Sequence, residues 1–221
     1  MQSTTQPEDA AAPQRHVPEN LVHFNPWRDF NDAAPIEDVF GDELDPSQIA
    51  DFMEVVFGYC DGFIPVRSFI DKGQGFDGRP HNIWIEAGRS VADKMTTFAH
   101  WAAREGAAVY VIPGTVAALG QAKAADVLQM QAVVVDIDTG DIAAKRSHLI
   151  RHLGPPTMVV ESGGVTVEGQ RKLHLWWKLT EPAQGVDLLR VTRLRGDIAA
   201  KVGGDMHFRS AHQPIRVAGS V

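Results

Sequence analysis

Val133-Val134-Val135-Asp136-Ile137-Asp138, running on into Thr139-Gly140-Asp141, is the stretch whose reading decides the fold. Four aliphatic residues and two aspartates in six positions predict a buried β-strand whose side chains alternate between faces. Val133, Val135 and Ile137 then point one way, and Val134, Asp136 and Asp138 the other. The two carboxylates come roughly 6–7 Å apart along one face. Two anions at the end of an apolar strand are unfavourable unless a cation or strong donors compensate. A divalent ion such as Mg²⁺, which takes one or two carboxylates and fills its other positions with water and phosphate, meets that need. The other reading of an isolated pair is one aspartate capping the next helix and its neighbour in solvent.

The flanking sequence sets out the elements. Upstream, apolar spacing predicts a helix over Pro46 to Cys60 capped by Asp45, and strands over Phe63 to Ile70 and Asn82 to Glu86. A helix follows from Ser90, with Ser90 and Asp93 as a capping box, and then a strand over Ala107 to Ile112. Thr115 to Val127 is read as helical despite Gly120. Downstream, a helix over Asp141 to Leu153 stops at Gly154-Pro155-Pro156. Thr157 to Glu161 and Lys172 to Leu179 (KLHLWWKL) form a hairpin across Val165 to Arg171, the second strand ending at Glu181-Pro182. Val186 to Val202 is an amphipathic helix with Leu188, Val191, Leu194, Ile198 and Val202 inward, closed by Gly203-Gly204. The pattern is mixed α/β, with no internal repeat.

Composition narrows the class of protein. The chain of 221 residues is 44% hydrophobic, enough for one core without covalent staples. Cys60 is its single cysteine, which excludes an intrachain disulfide or a cysteine-rich zinc module and suits a reducing cytoplasm. No apolar run approaches a membrane span, and the polar N-terminus is unlike a signal peptide, so a cytoplasmic protein with no membrane partner is expected. Residues 1–45 read as an acidic, Pro-rich, poorly ordered arm in which Trp27, Phe30 and Phe40 are candidates to dock on the body. The net charge of −7 is unevenly spread: from Ile142 onward twelve Lys/Arg face six Asp/Glu, a local +6. Most of the candidate chemistry lies in that basic portion.

In KLHLWWKL, alternation places Leu173, Leu175 and Trp177 on one face and Lys172, His174, Trp176 and Lys178 on the other. A face with two lysines and a histidine suits an anion, lysine as a point charge and histidine as a donor or metal ligand. Taken alone, such a strand more often presents a solvated face. Ser162-Gly163-Gly164 either lets backbone amides approach a phosphate or simply turns the chain. Asp205, just past the Gly-Gly helix stop, either joins Asp136 and Asp138 in a three-carboxylate site or is a turn aspartate. Arg209 and Arg216 are phosphate-binding candidates, Arg216 the better placed among small neighbours. His207 and His212 lack the paired spacing of a zinc site.

The order of these parts resembles the archaeo-eukaryotic primase superfamily. A strand of pattern hhhDhD, a Ser-Gly-Gly hairpin, a strand with histidine and tryptophan, a helix, an aspartate, and Arg216-Val217-Ala218-Gly219-Ser220 follow in turn. The likeness is greatest to the primase-polymerase and plasmid RepB-type branch of phages, plasmids and integrated elements, and it covers Ala132 to Val221. It implies an RRM-like core within 46–221 and a DNA primase or polymerase making primers on single-stranded DNA from nucleoside triphosphates. By that resemblance Asp136, Asp138 and Asp205 hold two Mg²⁺ or Mn²⁺ ions. His174, Lys172, Arg216, Ser162 and Gly163 receive the nucleotide's phosphates. Lys172 stands where a small hydroxyl residue is usual, and Ala218 where the closing segment has proline. The resemblance also implies a domain that continues past Val221 and a helicase as a downstream partner. VVVDIDTGD further resembles the start of haloacid dehalogenase phosphatases, with Asp136 as nucleophile and Asp138 as acid/base, though the downstream lysine and late acidic pair of that family find no match. A third reading is a non-catalytic single-strand-binding module with Trp176 as a stacking platform.

Overall fold

The computed structural model describes residues 44–70 and 80–220. The acidic arm up to residue 43, with its candidate docking residues Trp27, Phe30 and Phe40, and residues 71–79 lie outside the described residues. Helix α1 (Pro46–Phe57) starts where expected: Asp45 accepts from the backbone N–H of Ser47 and Gln48, and Pro46 occupies the first turn. Strand β1 (Phe63–Ile70) and strand β2 (His81–Glu86) pair antiparallel. Helix α2 (Val91–Arg104) buries Val91, Met95, Phe98, Ala99 and Ala102, but the Ser90 side chain makes no cap hydrogen bond, so the capping box does not form.

Strand β3 (Ala107–Val111) leads to the first clear departure from expectation. Thr115 to Val127 is not a helix. Thr115–Val116 forms strand β4, a 3₁₀ turn covers Ala124–Asp126, and strand β5 occupies Val127–Ile137. Thr115 and Val116 are fully buried between β1 and β5, an environment that suits β-branched residues on a pleated surface. A Cβ at Gly114 would lie 2.8 Å from the Gln129 carbonyl oxygen, so the chain can fold back on β5 only with glycine there.

Helix α3 (Ile142–Leu153) is capped by Asp141, and strands β6 (Met158–Val165) and β7 (Arg171–Gln184) form the hairpin. Ser162-Gly163-Gly164 lies within β6 rather than in the turn, which falls at Thr166 to Gln170. Two extra β6 residues between the Glu161–Leu173 and Val165–Arg171 pairs make a bulge, with Gly163 at φ +82°. Nor does Glu181-Pro182 end β7. The pairing shifts from Ala132–Lys178 to Met130–Ala183, leaving Leu179 to Pro182 opposite Gln131 alone, and within such a bulge a missing N–H is tolerated. Gln131 uses its freedom there: its Nε2 donates to the carbonyls of Glu54 and Val55 and its Oε1 accepts from the Tyr59 N–H, closing the end of α1.

Helix α4 (Gly185–Val202) ends on Gly203 in the left-handed conformation, followed by a 3₁₀ turn (Met206–Arg209) and strand β8 (Ile215–Arg216). Leu188 and Ile198 point inward as expected, but Leu194 is 47% exposed and Arg195 is fully buried. The helix is turned so that Gly196 meets the 3₁₀ segment, where a Cβ would come 2.9 Å from that of Arg209.

The eight strands make one sheet, β6-β7-β5-β4-β1-β3-β8, with β2 on the other side of β1 and every pairing antiparallel. Among the described residues this mixed α/β fold has four α-helices. Ala132, Val134 and Trp176 belong to a core shared with α1, α2 and β1 to β3, whereas Val133, Val135, Ile137, Leu173 and Leu175 pack under α3 and α4. The alternation read from VVVDID is thus the division between two cores. Among the described residues no helix is long and apolar enough to cross a membrane.

Candidate active site

Three cross-strand rows on one face of β5, β7 and β6 explain where the site begins. Val134, Trp176 and Met158 lie side by side, and Trp176 is fully buried edge-on against Phe52, ring centroids 5.4 Å apart. Trp176 is therefore core and not a stacking platform. One row along, Asp136 faces His174, which faces Val160. Beyond it come Asp138, Lys172 and Ser162, where β5 has ended and the Ser162 hydroxyl lies 3.5 Å from the Lys172 carbonyl. The face changes from apolar to polar in one strand step, so the chemistry sits on the rim of a rigid core.

The chain returns to this rim twice more. After Gly203, the Asp205 N–H donates to the Asp136 carbonyl at 3.1 Å. Gly204 permits the approach, since a Cβ there would lie 2.6 Å from that same carbonyl oxygen. Asp205 then caps the 3₁₀ turn, its Oδ1 accepting from the His207 N–H at 2.9 Å and lying 2.7 Å from His207 Nδ1. The second return is β8, where Arg216 pairs with Tyr110 of β3 and its guanidinium stands 5.8 Å from that ring. β6 and β8 are the two ends of the strand order, yet a Cβ on Gly163 would be 3.6 Å from Arg216 Nη1. The sheet curls until its ends face one another across the site.

Asp136, His174, Asp205, Ser162 and Arg216 line a cleft of about 280 Å³ together with Tyr110, Phe208 and Gln213. An adjoining cleft of about 490 Å³ shares Ser162, His174 and Arg216 and adds Gly163, Gln48, Asp51 and the segment Val217 to Ser220. Asp138 and Lys172 flank these clefts without lining them, and Arg209 and His212 are exposed elsewhere. Tyr110, Phe208, Gln48 and Asp51 carried no signal in the sequence, because they come from elements remote in the chain. Gly204 did carry one, but as a helix stop rather than a point of close approach.

The electrostatics follow from burial. Asp136 Oδ1 is buried with no hydrogen-bond partner, and its carboxyl is pushed up to about 7, by desolvation first and then by Asp138 and Asp205, against a smaller opposite effect of Lys172. Burial pushes His174 down to about 4, leaving a neutral imidazole whose Nδ1 also has no partner. Among the described residues no three His, Cys, Asp or Glu side chains already enclose one point suited to a metal ion. An orphaned carboxylate oxygen whose charge is opposed by two further carboxylates nonetheless fits a hard divalent cation, which needs only one or two protein carboxylates when water and phosphate complete its shell.

The fold of this antiparallel sheet and its helices is shared with primase catalytic domains of solved structure. The AEP domain of the cyanophage S-2L primase-polymerase is similar with a TM-score of 0.57 and 18% identity, covering 80% of this chain and 83% of that one. The catalytic domain of primase RepB′, solved in complex with initiator DNA, gives 0.51 and 14% over 80% of this chain and 77% of that one. No protein-family model and no curated protein matches the chain. At these identities the likeness is one of fold.

Proposed function

We propose that residues 46–221 are a DNA primase-polymerase catalytic domain, joining nucleotides into primers on single-stranded DNA. The observation that carries the reading is the buried, unpartnered Oδ1 of Asp136, a carboxyl that feels the charges of Asp138 and Asp205 and lines a cleft with His174 and Arg216. In this reaction a primer 3′-hydroxyl attacks the α-phosphate of a nucleoside triphosphate, the α–β bond breaks, and pyrophosphate leaves. Asp136, Asp138 and Asp205 would hold Mg²⁺ or Mn²⁺. Bound there, such ions supply activation of the 3′-hydroxyl and neutralisation of the leaving pyrophosphate.

The protein's own groups do the rest. The Arg216 guanidinium offers paired N–H donors to the phosphates across the cleft from Ser162 and Gly163. His174 stays neutral and donates one N–H to a phosphate oxygen without adding charge beside Asp136. Lys172 supplies a cation at the rim. Template binding is mainly electrostatic and so salt-sensitive. A role in copying a mobile element, alongside a helicase, completes the proposal and rests on the likeness to phage and plasmid primases.

The test is primer synthesis on single-stranded DNA with nucleotides and Mg²⁺ or Mn²⁺. Product that disappears in Asp136→Ala and Asp138→Ala supports the proposal. Phosphate release without polymer indicates a phosphatase, and template retention without turnover indicates a binding module.

A further inference from the structure

A second group of metal-ligating side chains lies on the other side of the sheet. α3 packs through Ile142 and Leu149 under Val133, Val135 and Ile137, the face turned away from Asp136 and His174. On its outer surface His148 and His152 are both exposed, one helical turn apart, with ring centroids 4.4 Å from each other. Spacing of i, i+4 holds both rings on one strip of the helix. They stand at the lip of a cleft of about 560 Å³ between α3 and α4, floored by Leu149 and Ile198 and faced from α4 by Asp197 and Lys201.

We propose that His148 and His152 bind a divalent transition-metal ion of Zn²⁺ type, with water in the remaining positions. Imidazole nitrogen suits Zn²⁺, Ni²⁺ and Cu²⁺, whereas Mg²⁺ takes oxygen ligands, so Mg²⁺ does not compete for this histidine pair. Metal–nitrogen distances of about 2.0–2.1 Å on a tetrahedral ion place two ligating rings roughly 5 Å apart, centre to centre. The observed 4.4 Å is close to that separation. Two imidazoles on a formed helix are already oriented, so the entropy of gathering them is largely met by the fold. No third protein ligand is gathered with them among the described residues. Half the binding free energy of a closed structural site implies a dissociation constant between about 1 µM and 0.2 mM.

The experiment is calorimetric titration of the untagged full chain with Zn²⁺ in excess Mg²⁺, which competes for carboxylate oxygens. The expected result is one Zn²⁺ per chain, at least tenfold weaker binding in His148→Gln and in His152→Gln, and a Zn²⁺-induced rise in melting temperature that the double variant lacks. Both positions are exposed, and the double variant should keep the wild-type melting temperature in EDTA and its activity with Mg²⁺. Unchanged Zn²⁺ binding in the double variant would place the ion elsewhere and overturn the proposal. So would the absence of binding to the wild type at about 2 mM Zn²⁺, tenfold above the weakest affinity expected.

Discussion

His174 Nε2 stands 3.7 Å from Asp136 Oδ1, on directly opposed residues of β7 and β5. At neutral pH this is no ion pair, since burial keeps the imidazole uncharged and holds the carboxyl near half-protonation. The two residues share a desolvated pocket, and each disfavours its own charge there.

Their titrations act on stability with opposite signs. The raised Asp136 contributes stability that is full below about 4, its unfolded range, and is lost as pH rises through about 7. The depressed His174 contributes stability present above about 6.5 and lost as pH falls through about 4. In EDTA the two slopes largely cancel between about pH 4 and 6.5. Asp136→Asn should expose a stability that rises with pH across that window, and His174→Gln one that falls. Urea melts at four pH values check this, and parallel curves for the two variants would refute it.

Protons compete with a cation for Asp136. Affinity for Mg²⁺ or Mn²⁺ should fall by up to tenfold per unit of pH below about 7. Mn²⁺ relaxation titrations between pH 5.5 and 8 measure it, and a flat profile would mean that Asp136 is not a ligand.

Gly204→Ala forces a Cβ against the Asp136 carbonyl, 2.6 Å away in the present backbone, and so pushes Asp205 off β5. We expect a stability loss of about 1–3 kcal/mol, as for other overpacked sites. Nucleotide incorporation should fall on the order of 100-fold, the effect of an ångström-scale misplacement of a catalytic group. Thermal melting and primer extension on the same preparation separate the two effects.

Arg195 is fully buried, with Nη1 on the Met130 sulfur at 3.1 Å and its Nε and Nη2 without hydrogen-bond partners. A buried cation with so little compensation is unfavourable, and burial pushes its pKa down to about 10. Arg195→Met, similar in length and apolar, should leave the melting temperature unchanged or raise it. A drop of several degrees would show that the guanidinium stabilises the contact with the Phe208 ring, 5.8 Å away.

Local pattern carried much of the architecture. The cap at Asp45, the alternation of VVVDID and KLHLWWKL, and the Gly203 stop each depend on residues a few positions apart, so sequence alone determined them. Where a distant partner decides the backbone, the same reading went astray. Thr115 to Val127 became strand and turn because β1 and β5 bury Thr115 and Val116, and β7 passes through Pro182 because β5 leaves room for a bulge opposite Gln131. The chain's own pattern named Asp136, His174, Asp205 and Arg216 as candidates. Only the tertiary structure decided that a glycine-width approach sets Asp205 beside Asp136, and that the curl of the sheet carries Arg216 to Gly163. Both depend on close packing between segments tens of residues apart, and no local periodicity records such contacts.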